Sequence, residues 1–424
     1  MAGFDTRCVH GAGPPDPATG AVVPPISLAT TFAQDGVGGH RGYEYSRTGN
    51  PTRATLERHI AALEGARHGL AFASGLAAED AVLRLLAPGD HLLIPDDAYG
   101  GTFRLAVRVH EPAGLAITPV DLTDLDAVRA AWRPTTRLVW VETPTNPLLR
   151  IVDIEAVASV AHESRLRGAE RNDRLRGAER NARLRGAGRN ARLRGAERNA
   201  RLRGAERNDR ALVAVDNTFA TPALQQPLTL GADIVVHSST KYLGGHSDVV
   251  GGFVATNDDE LGERLAFLQN AVGAVPGPLD CYLVHRGART LHVRMERHGL
   301  NAAAIAELLQ SHAAVRSVLW PGLSDHPGHD VAKRQMSGFG GMVSFRLAGG
   351  EPAALAVCER TELFTLAESL GAVESLIEHP GRMTHASTAG TSNEVPADLV
   401  RLSIGIEDAG DLVADLRQAL DSLA

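Results

Sequence analysis

Residues 237–248 of this 424-residue chain read HSSTKYLGGHSD, and they decide how the rest of the sequence is interpreted. They follow the apolar run DIVVH at 233–237, which is typical of a buried strand. Lys241 therefore stands just beyond the carboxyl end of a strand, with hydroxyl side chains nearby at Ser238 and Thr240. Because open α/β sheets bind ligands at that edge, the stretch predicts an α/β fold with a ligand site at Lys241.

Strand-like and helix-like segments alternate along most of the chain. The short apolar runs GLAFA, DHLLIP, RLVWVE, ALVAVD, DIVVH and GGFVAT are typical of buried parallel strands. Segments with a helical period lie between them, such as 51–65, where Pro51 can open a helix and Gly65 can end it. The alternation predicts a mostly parallel central sheet with helices on both faces.

The same pattern divides the chain into three regions. A Pro-rich N-terminal arm is predicted at 1–50, and a large domain that contains the central sheet at 51–285. After that the order changes to a helix, strands at VRSVLW and GMVSFRL, and a final amphipathic helix. We therefore expect residues 286–424 to form a smaller C-terminal α+β domain.

Residues 165–209 are five copies of a nonapeptide of the type RLRGAERND, with 15 arginines, six acids and no aromatic residue. A period of nine turns successive leucines to opposite sides of a helix, and every copy contains a Gly. We therefore expect a disordered surface insertion in the large domain. The alternative is an Arg-rich arm for nucleic acid or an acidic partner, which the lack of aromatic residues disfavours.

The overall composition is that of a globular protein with a net charge of −7 and a pI near 6.2, unlike a dedicated nucleic-acid binder. Cys8, Cys281 and Cys358 are too widely spaced for a CxxC metal pair. No run of 18 apolar residues lacks a charge, so we expect a cytoplasmic protein with no membrane anchor. His326 and His329 stand on a Pro/Gly turn and are interpreted as surface residues, and no metal site is expected.

Only two residues of the chain are lysines, Lys241 and Lys333. A neutral lysine can form a Schiff base with an aldehyde, and the hydroxyls of Ser238 and Thr240 can bind a phosphate; pyridoxal 5′-phosphate presents both groups. Asp216 ends the ALVAVD strand and can pair with the pyridine nitrogen of that cofactor. Taken singly, each residue has a structural alternative: Lys241 is also consistent with a surface lysine on a Ser/Thr loop, and Asp216 with a residue that caps a helix.

Two further segments suit the same cofactor. In FASGLAAED, a turn at Ser74 opens a helix whose free N–H groups at Gly75 and Leu76 would face an anion. Tyr99 in DDAYGGTFR follows the DHLLIP strand and can stack on a planar ring. The four segments together predict a site for pyridoxal 5′-phosphate.

With these residues in place, the chain resembles the cystathionine γ-synthase and γ-lyase family. Members are pyridoxal-phosphate enzymes of fold type I, the aspartate-aminotransferase-like fold. The resemblance covers about 3–420 except the repeat. It is carried, in family order, by YEYSRTGNPT, ASGLAA, DDAYGGTFR, ETPTNPLL, VDNTFATP, HSSTKYLGGHSD, AESLGAVESLIEHP, MTHAS and VRLSIGIED.

The resemblance implies a role for individual residues. Lys241 and Tyr99 are implied to be catalytic, as the lysine that carries the cofactor and moves protons and as the tyrosine stacked on its ring. The implied cofactor residues in the same subunit are Ser74, Gly75, Leu76, Asn146, Asp216, Thr218, Ser238 and Thr240, supported by Glu142. Tyr45 and Arg47 are implied to reach the cofactor of a neighbouring subunit, which makes the protein a homotetramer with shared sites. The implied substrate residues are Glu44, Arg104, Glu368, Ser369 and Arg401, the last as the binder of the α-carboxylate.

The preferred reaction is γ-replacement of O-succinyl- or O-acetyl-homoserine by L-cysteine, which gives cystathionine. The alternative within the family is γ-elimination of cystathionine to cysteine, ammonia and 2-oxobutyrate. Gly101 and Glu368 depart from the residues typical of methionine γ-lyases and disfavour that activity. An alternative of another class is an Arg-rich interaction protein on an inactive scaffold, against which the complete set of cofactor residues speaks.

Overall fold

The computed structural model describes residues 2–163, 211–385 and 394–423. The insertion at 165–209, expected to be disordered, lies outside these residues.

Seven strands of the described chain form the large sheet. Their bounds are His68–Phe72 (β1), His91–Pro95 (β2), Ala116–Val120 (β3), Thr136–Glu142 (β4), Leu212–Asp216 (β5), Ile234–Ser238 (β6) and Gly252–Thr256 (β7). The order in space is β1-β7-β6-β5-β4-β2-β3. β7 runs antiparallel to its neighbours β1 and β6, and the remaining pairs are parallel. The prediction of a mostly parallel central sheet is confirmed.

Two features of this sheet differ from the sequence-based expectation. The GGFVAT strand was expected to be parallel, but it is the antiparallel β7; a strand buried on both faces is continuously apolar in either direction. β3 was not predicted, because its sequence AITPV is only partly buried and contains a proline, which weakens a strand pattern.

Helices cover both faces of the sheet. Their bounds are Phe4–His10 (α1), Pro51–Glu64 (α2), Gly75–Leu83 (α3), Gly100–Leu105 (α4), Leu125–Ala131 (α5), Thr221–Leu224 (α6), Asp259–Val272 (α7), Pro278–Ala288 (α8), Leu291–Ser311 (α9), His329–Gln335 (α10), Gly350–Arg360 (α11) and Ala409–Asp421 (α12). A π-helical turn at Ala106–His110 extends α4, Pro227–Leu230 form a 3₁₀ turn, and residues 154–163 are also helical. No helix among those described is long and apolar enough to cross a membrane.

Alternation along β2 explains why the strands appear as unbroken apolar runs. Leu92 and Ile94 pack into the core under α3 and α7, whereas Leu93 between them packs into the core on the opposite face. Successive side chains of a strand point to opposite faces, so a strand covered on both sides needs apolar residues at every position.

The start of the large domain follows its local signals. Asn50 caps α2 by accepting hydrogen bonds from the N–H groups of Thr52 and Arg53, Pro51 occupies the first turn, and Gly65 ends the helix with φ 68°. The N-terminal arm additionally contains α1, which packs on α2 and buries Cys8.

A second sheet lies toward the carboxyl end. It comprises Val315–Leu319 (β8), Met342–Leu347 (β9), Thr365–Leu366 (β10), Leu376–Glu378 (β11) and Leu399–Ser403 (β12). The order is β10-β11-β12-β9-β8, and α9, α11 and α12 pack against it. β11 and β12 are antiparallel neighbours that place Glu378 opposite Arg401. The expected smaller α+β unit after the central sheet is confirmed.

Candidate active site

A cavity of about 310 Å³ lies where three neighbouring parallel strands end. Glu142, Asp216 and Ser238 are the last residues of β4, β5 and β6, and all three line it. The sequence-predicted residues on its wall are Ser74, Gly75, Leu76, Tyr99, Asn146, Asp216, Thr218, Ser238, Thr240, Lys241, Glu368, Ser369 and Arg401. The ligand site therefore lies at the edge of the sheet where the topology places it.

Lys241 projects into this cavity from the turn after β6. Its Nζ donates a hydrogen bond of 2.7 Å to Ser369 Oγ, which comes from the C-terminal part of the chain. Burial and the nearby positive charge of Arg401 lower the pKa of the lysine to about 8. A substantial fraction of the amine is therefore neutral near physiological pH, as nucleophilic and base chemistry both require.

The start of α3 forms a cradle for an anion. Ser74 caps the helix by accepting a 3.1 Å hydrogen bond from Ala77 N–H, whereas the N–H groups of Gly75 and Leu76 bond to no described residue. A Cβ on Gly75 would lie 2.9 Å from Ser238 Cβ, so glycine allows this close approach. Free N–H groups at a helix N-terminus and neighbouring hydroxyls suit a phosphate.

Asp216 is positioned by hydrogen bonds from Thr218. Its Oδ1 accepts from the Thr218 N–H at 3.0 Å and from the Thr218 hydroxyl at 2.5 Å, and that hydroxyl accepts from Ser238 N–H. Burial raises the pKa of Asp216, although the bonds from Thr218 oppose the rise. A protonated ring nitrogen would relieve the cost of a charge buried here without a cation.

Two glutamates share this acidic region. Glu142 is the register neighbour of Asp216 and accepts hydrogen bonds from the N–H groups of Tyr99 and Asn146 at 2.9 and 2.7 Å. Sequence reasoning missed Glu79, which stands four residues after Gly75 and therefore on the same side of α3 as the cradle; that spacing was the available signal. Burial and the charge of Asp216 raise the pKa of both glutamates well above the ordinary value.

Arg401 also lines the cavity and is 2% exposed. One nitrogen, Nη1, donates to Asn146 Oδ1 at 2.9 Å and lies 3.0 Å from Glu378 Oε1, and Nη2 donates to the backbone oxygen of Ser369 at 2.8 Å. Nε has no partner among the described residues. Sequence reasoning missed Glu378, because its pairing with Arg401 appears only when β11 and β12 are in register.

The Tyr99 ring also lines the cavity, with its centroid 6.2 Å from that of His385 in an edge-to-face arrangement. Burial raises the pKa of the Tyr99 phenol. Gly101 lies against this ring, and a Cβ there would collide with it. The ring is thus held in a fixed orientation from which it can stack on a planar ligand.

The remaining sequence-predicted residues do not line this cavity. Glu44 and Arg104 are exposed, as is Tyr45 at 47%. The Arg47 guanidinium lies 5.7 Å from the Tyr45 ring centroid and donates to the backbone oxygen of Asn270 at 2.6 Å. These positions separate them from Lys241 within one subunit.

One interpretation on the turn at 325–330 is wrong. His326 was expected at the surface but is buried, and its Nδ1 accepts from the Gly328 N–H. The hydrogen bond from Gly328 gives the His326 ring a partner within the turn, so the ring needs no ligand there. In the part of the chain that the structure describes, no group of three or more His, Cys, Asp or Glu side chains could hold a metal ion.

The donor set fits pyridoxal 5′-phosphate. The cavity offers an amine whose pKa is lowered to about 8, an anion cradle, an acidic group without a cation and an aromatic ring. These match the aldehyde, phosphate, ring nitrogen and ring face of that cofactor.

Comparisons with known proteins agree with this assignment. Residues 5–167 and 200–421 match the model of the Cys/Met metabolism PLP-dependent enzyme family. The chain is 57% identical to a cystathionine γ-synthase of Mycobacterium tuberculosis over 99% of its own length and 97% of that relative's. It is 47% identical to a cystathionine β-lyase of Lactococcus lactis over 99% of this chain and all of the relative.

Solved structures resemble the chain over its whole length. That of metB from Corynebacterium glutamicum has a TM-score of 0.88 and 49% identity, with 100% of this chain and 99% of that one covered. A cystathionine γ-synthase of Xanthomonas oryzae in complex with aminoacrylate and cysteine has a TM-score of 0.85 and 43% identity, with coverage of 99% and 98%.

Proposed function

This chain belongs to the family of PLP-dependent enzymes of Cys/Met metabolism, and we propose that within it the protein is a cystathionine γ-synthase. It joins the sulfur of L-cysteine to the γ-carbon of an O-acylated homoserine. The relatives with 53–57% identity over nearly the whole chain carry this name, which favours the synthase over other reactions of the family.

The observation that carries the site assignment is the position of Ser369 between Lys241 and Arg401. Its hydroxyl accepts from Lys241 Nζ at 2.7 Å, and its backbone oxygen accepts from Arg401 Nη2 at 2.8 Å. In an α-amino acid the carboxylate is bonded directly to Cα. A guanidinium that binds the carboxylate and an amine that removes the Cα proton must therefore be neighbours, and Ser369 holds them so.

Five residues that line the cavity have a defined task in this proposal. Gly75 and Leu76 N–H groups bind the phosphate, Asp216 holds the ring nitrogen's proton, and Tyr99 covers the ring. Bound pyridoxal phosphate supplies an aldehyde for the substrate amine and an electron-withdrawing ring that stabilises negative charge on carbon. Lys241 takes the proton from the substrate Cα and then takes a proton from Cβ. It can do so because burial lowers the pKa of its Nζ and so favours the basic, neutral form.

The γ-replacement balances without an oxidant or reductant. The bond between Cγ and the ester oxygen breaks and the acyl group leaves as a carboxylate. The bond between Cγ and the cysteine sulfur then forms, and the thiol proton is released.

A parallel pair of assays tests the proposal. The purified protein is incubated with O-succinylhomoserine plus cysteine and, separately, with cystathionine alone, and cystathionine and 2-oxobutyrate are quantified. We expect cystathionine to form faster than 2-oxobutyrate is released. The opposite order would make the protein a cystathionine γ-lyase, the name given to a Lactobacillus plantarum structure with 44% identity.

We further propose that the protein is a cytoplasmic homotetramer in which Tyr45 and Arg47 complete the site of a neighbouring copy. Both residues are exposed and neither lines the cavity of its own subunit, which supports this assignment. Inactive Lys241→Ala and Arg47→Ala variants are mixed after denaturation and refolded together. If sites are shared, about a quarter of wild-type activity returns, since one site of each mixed pair has both residues. Without sharing, the mixture stays inactive.

A further inference from the structure

Glu79 is a buried carboxyl on the cavity wall to which the proposed chemistry assigns no task. It lies on α3, is 4% exposed and lines the cavity together with Asp216. Its Oε2 is buried and hydrogen-bonds to no described residue. Burying a polar atom without a partner is costly, which indicates that its partner is a ligand group.

The surroundings of Glu79 are apolar or acidic. The helix α3 packs on β6, β7 and α7, which present side chains such as Val236, Val254 and Leu265 to it. From α4 comes the Thr102 hydroxyl, and the titratable groups whose interaction with Glu79 is resolved are Asp216 and the Tyr99 phenol. No described lysine or arginine forms an ion pair with Glu79.

Asp216 takes the first negative charge in this region. It receives two hydrogen bonds from Thr218, whereas Glu79 has only the Thr102 hydroxyl beside it. Burial and the charge of Asp216 raise the pKa of Glu79 well above its ordinary range, and Thr102 offsets this only partly. Without cofactor, a negative charge is therefore more stable on Asp216 than on Glu79.

We propose that Glu79 is a positioning residue for the cofactor, which loses its proton to solvent when the protonated ring nitrogen docks at Asp216 and then helps to retain that nitrogen's proton. The proposal rests on the cofactor site alone. It holds equally for a synthase and a lyase, because it does not depend on the amino acid that is transformed.

The charges around Glu79 determine whether cofactor binding releases a proton or takes one up. A cation at Asp216 cancels the repulsion that keeps Glu79 protonated and attracts a second negative charge, and Coulomb interactions are strong in a buried site. Glu79 is already almost fully buried, so docking removes little further hydration from it. Cofactor binding therefore releases a proton from Glu79, and the affinity contributed by this residue rises with pH.

The test counts protons during cofactor loading. Apoprotein is titrated with pyridoxal phosphate in a calorimeter, in buffers of different ionisation enthalpy at the same pH. Wild type is compared with Glu79→Gln and with Asp80→Asn. Asp80 is the matched control, because it is the next residue of the same helix and pairs with Arg84 and His110 away from the cavity.

We expect Glu79→Gln to release fewer protons than wild type, by up to about one per site, and Asp80→Asn to match wild type. In the loaded protein, the pH midpoint of the cofactor's absorbance change falls in Glu79→Gln, because removal of a negative charge lowers the proton affinity of neighbouring groups.

Equal proton counts and equal midpoints in wild type and Glu79→Gln would overturn the inference while leaving the proposed function intact. If wild type binds no cofactor at all, the proposed function itself fails. Should Glu79→Gln not fold, the neutral Glu79→Met variant replaces it, with the same expected loss of the proton.

Discussion

The two ends of the cavity differ in whether their charged side chains are paired with an opposite charge. We call one end the acidic floor and the other the arginine wall. The acidic floor consists of Glu79, Glu142 and Asp216. The arginine wall consists of Arg401 and Asn146, together with Glu378, which pairs with Arg401 but does not line the cavity. No carboxyl of the floor forms an ion pair with a described residue, whereas Arg401 on the wall is paired with Glu378 at 3.0 Å.

This difference indicates which ligand group each end of the cavity is suited to bind. A charge-balanced wall is stable by itself, and its arginine is held ready for a substrate carboxylate. The floor is short of positive charge and becomes balanced only when a ligand supplies it. The cofactor therefore contributes to the stability of one end, and the protein alone stabilises the other.

The largest effect is expected at Lys241, which lies between the two ends. Lys241→Ala should lower the rate of cystathionine formation by roughly 10⁴-fold or more, because nucleophile and base are lost together. Lys333→Ala, which removes the other lysine from an exposed position on α10, should leave the rate unchanged. Borohydride reduction of the loaded protein followed by peptide mapping should label Lys241 and not Lys333. A label on Lys333 would show that Lys241 does not carry the cofactor, so the two ends of the cavity would not be compared around a cofactor site.

Asp216→Asn tests the floor. We expect kcat to fall by roughly 10³-fold, because the ring nitrogen loses its anionic partner. The apoprotein should nevertheless become more stable at pH 8. The raised pKa of Asp216 means that its ionisation costs stability as pH rises above the unfolded value, so this gain should vanish near pH 4.

Urea unfolding of the apoproteins at both pH values measures the gain. The Asn side chain can still accept the bonds from Thr218, so the local geometry is preserved. A variant that is less stable than wild type at pH 8 would contradict the view that the floor is short of positive charge.

Arg401→Met tests the wall, where activity and stability should fall together. The substitution leaves Glu378 buried and unpaired, at a cost of about 3–5 kcal/mol of unfolding free energy. The double variant Arg401→Met/Glu378→Met should recover most of this stability without recovering substrate affinity, because no fork remains for the carboxylate. Thermal unfolding and the KM for O-succinylhomoserine separate the two effects. A single variant as stable as wild type would show that the pair does not balance the wall.

The smallest effect is expected at the phosphate cradle next to the floor. Gly75→Ala should weaken cofactor affinity about tenfold, since its Cβ would press on Ser238 and move the N–H groups. Gly299→Ala is the matched control, because it lies inside α9 and its Cβ would meet no atom within 4 Å. It should raise stability by up to about 1 kcal/mol and leave cofactor affinity unchanged. Equal affinities in the two variants would argue against the cradle.

The segments that could be predicted have a local signal. The apolar runs before Asp216 and Lys241 mark strand ends, and parallel strands bring such ends to one edge. The helix at Pro51–Glu64 has its own start and stop residues. Hence the central sheet, the cofactor and most of the cavity residues could be inferred before any coordinates.

The features that were missed depend on distant partners. β7 has the apolar pattern of a parallel strand, and only its pairing with β1 and β6 reveals its direction. His326 stands on a polar turn but is buried, because that turn packs against Ile151 in a distant part of the chain. No local pattern distinguishes these cases, because the deciding contacts are made by residues far away in the chain.

The order of residues along the chain was enough to identify the type of fold, the lysine and the cofactor, because each depends on a short pattern with a fixed spacing. The balance of charge in the cavity was decided by the folded structure alone. Glu378 meets Arg401 only through strand register, and only the packing of α3 leaves Glu79 Oε2 buried without a partner among the described residues. Burial converts ordinary carboxyls into groups whose protonation depends on their neighbours, and burial is a property of three-dimensional packing.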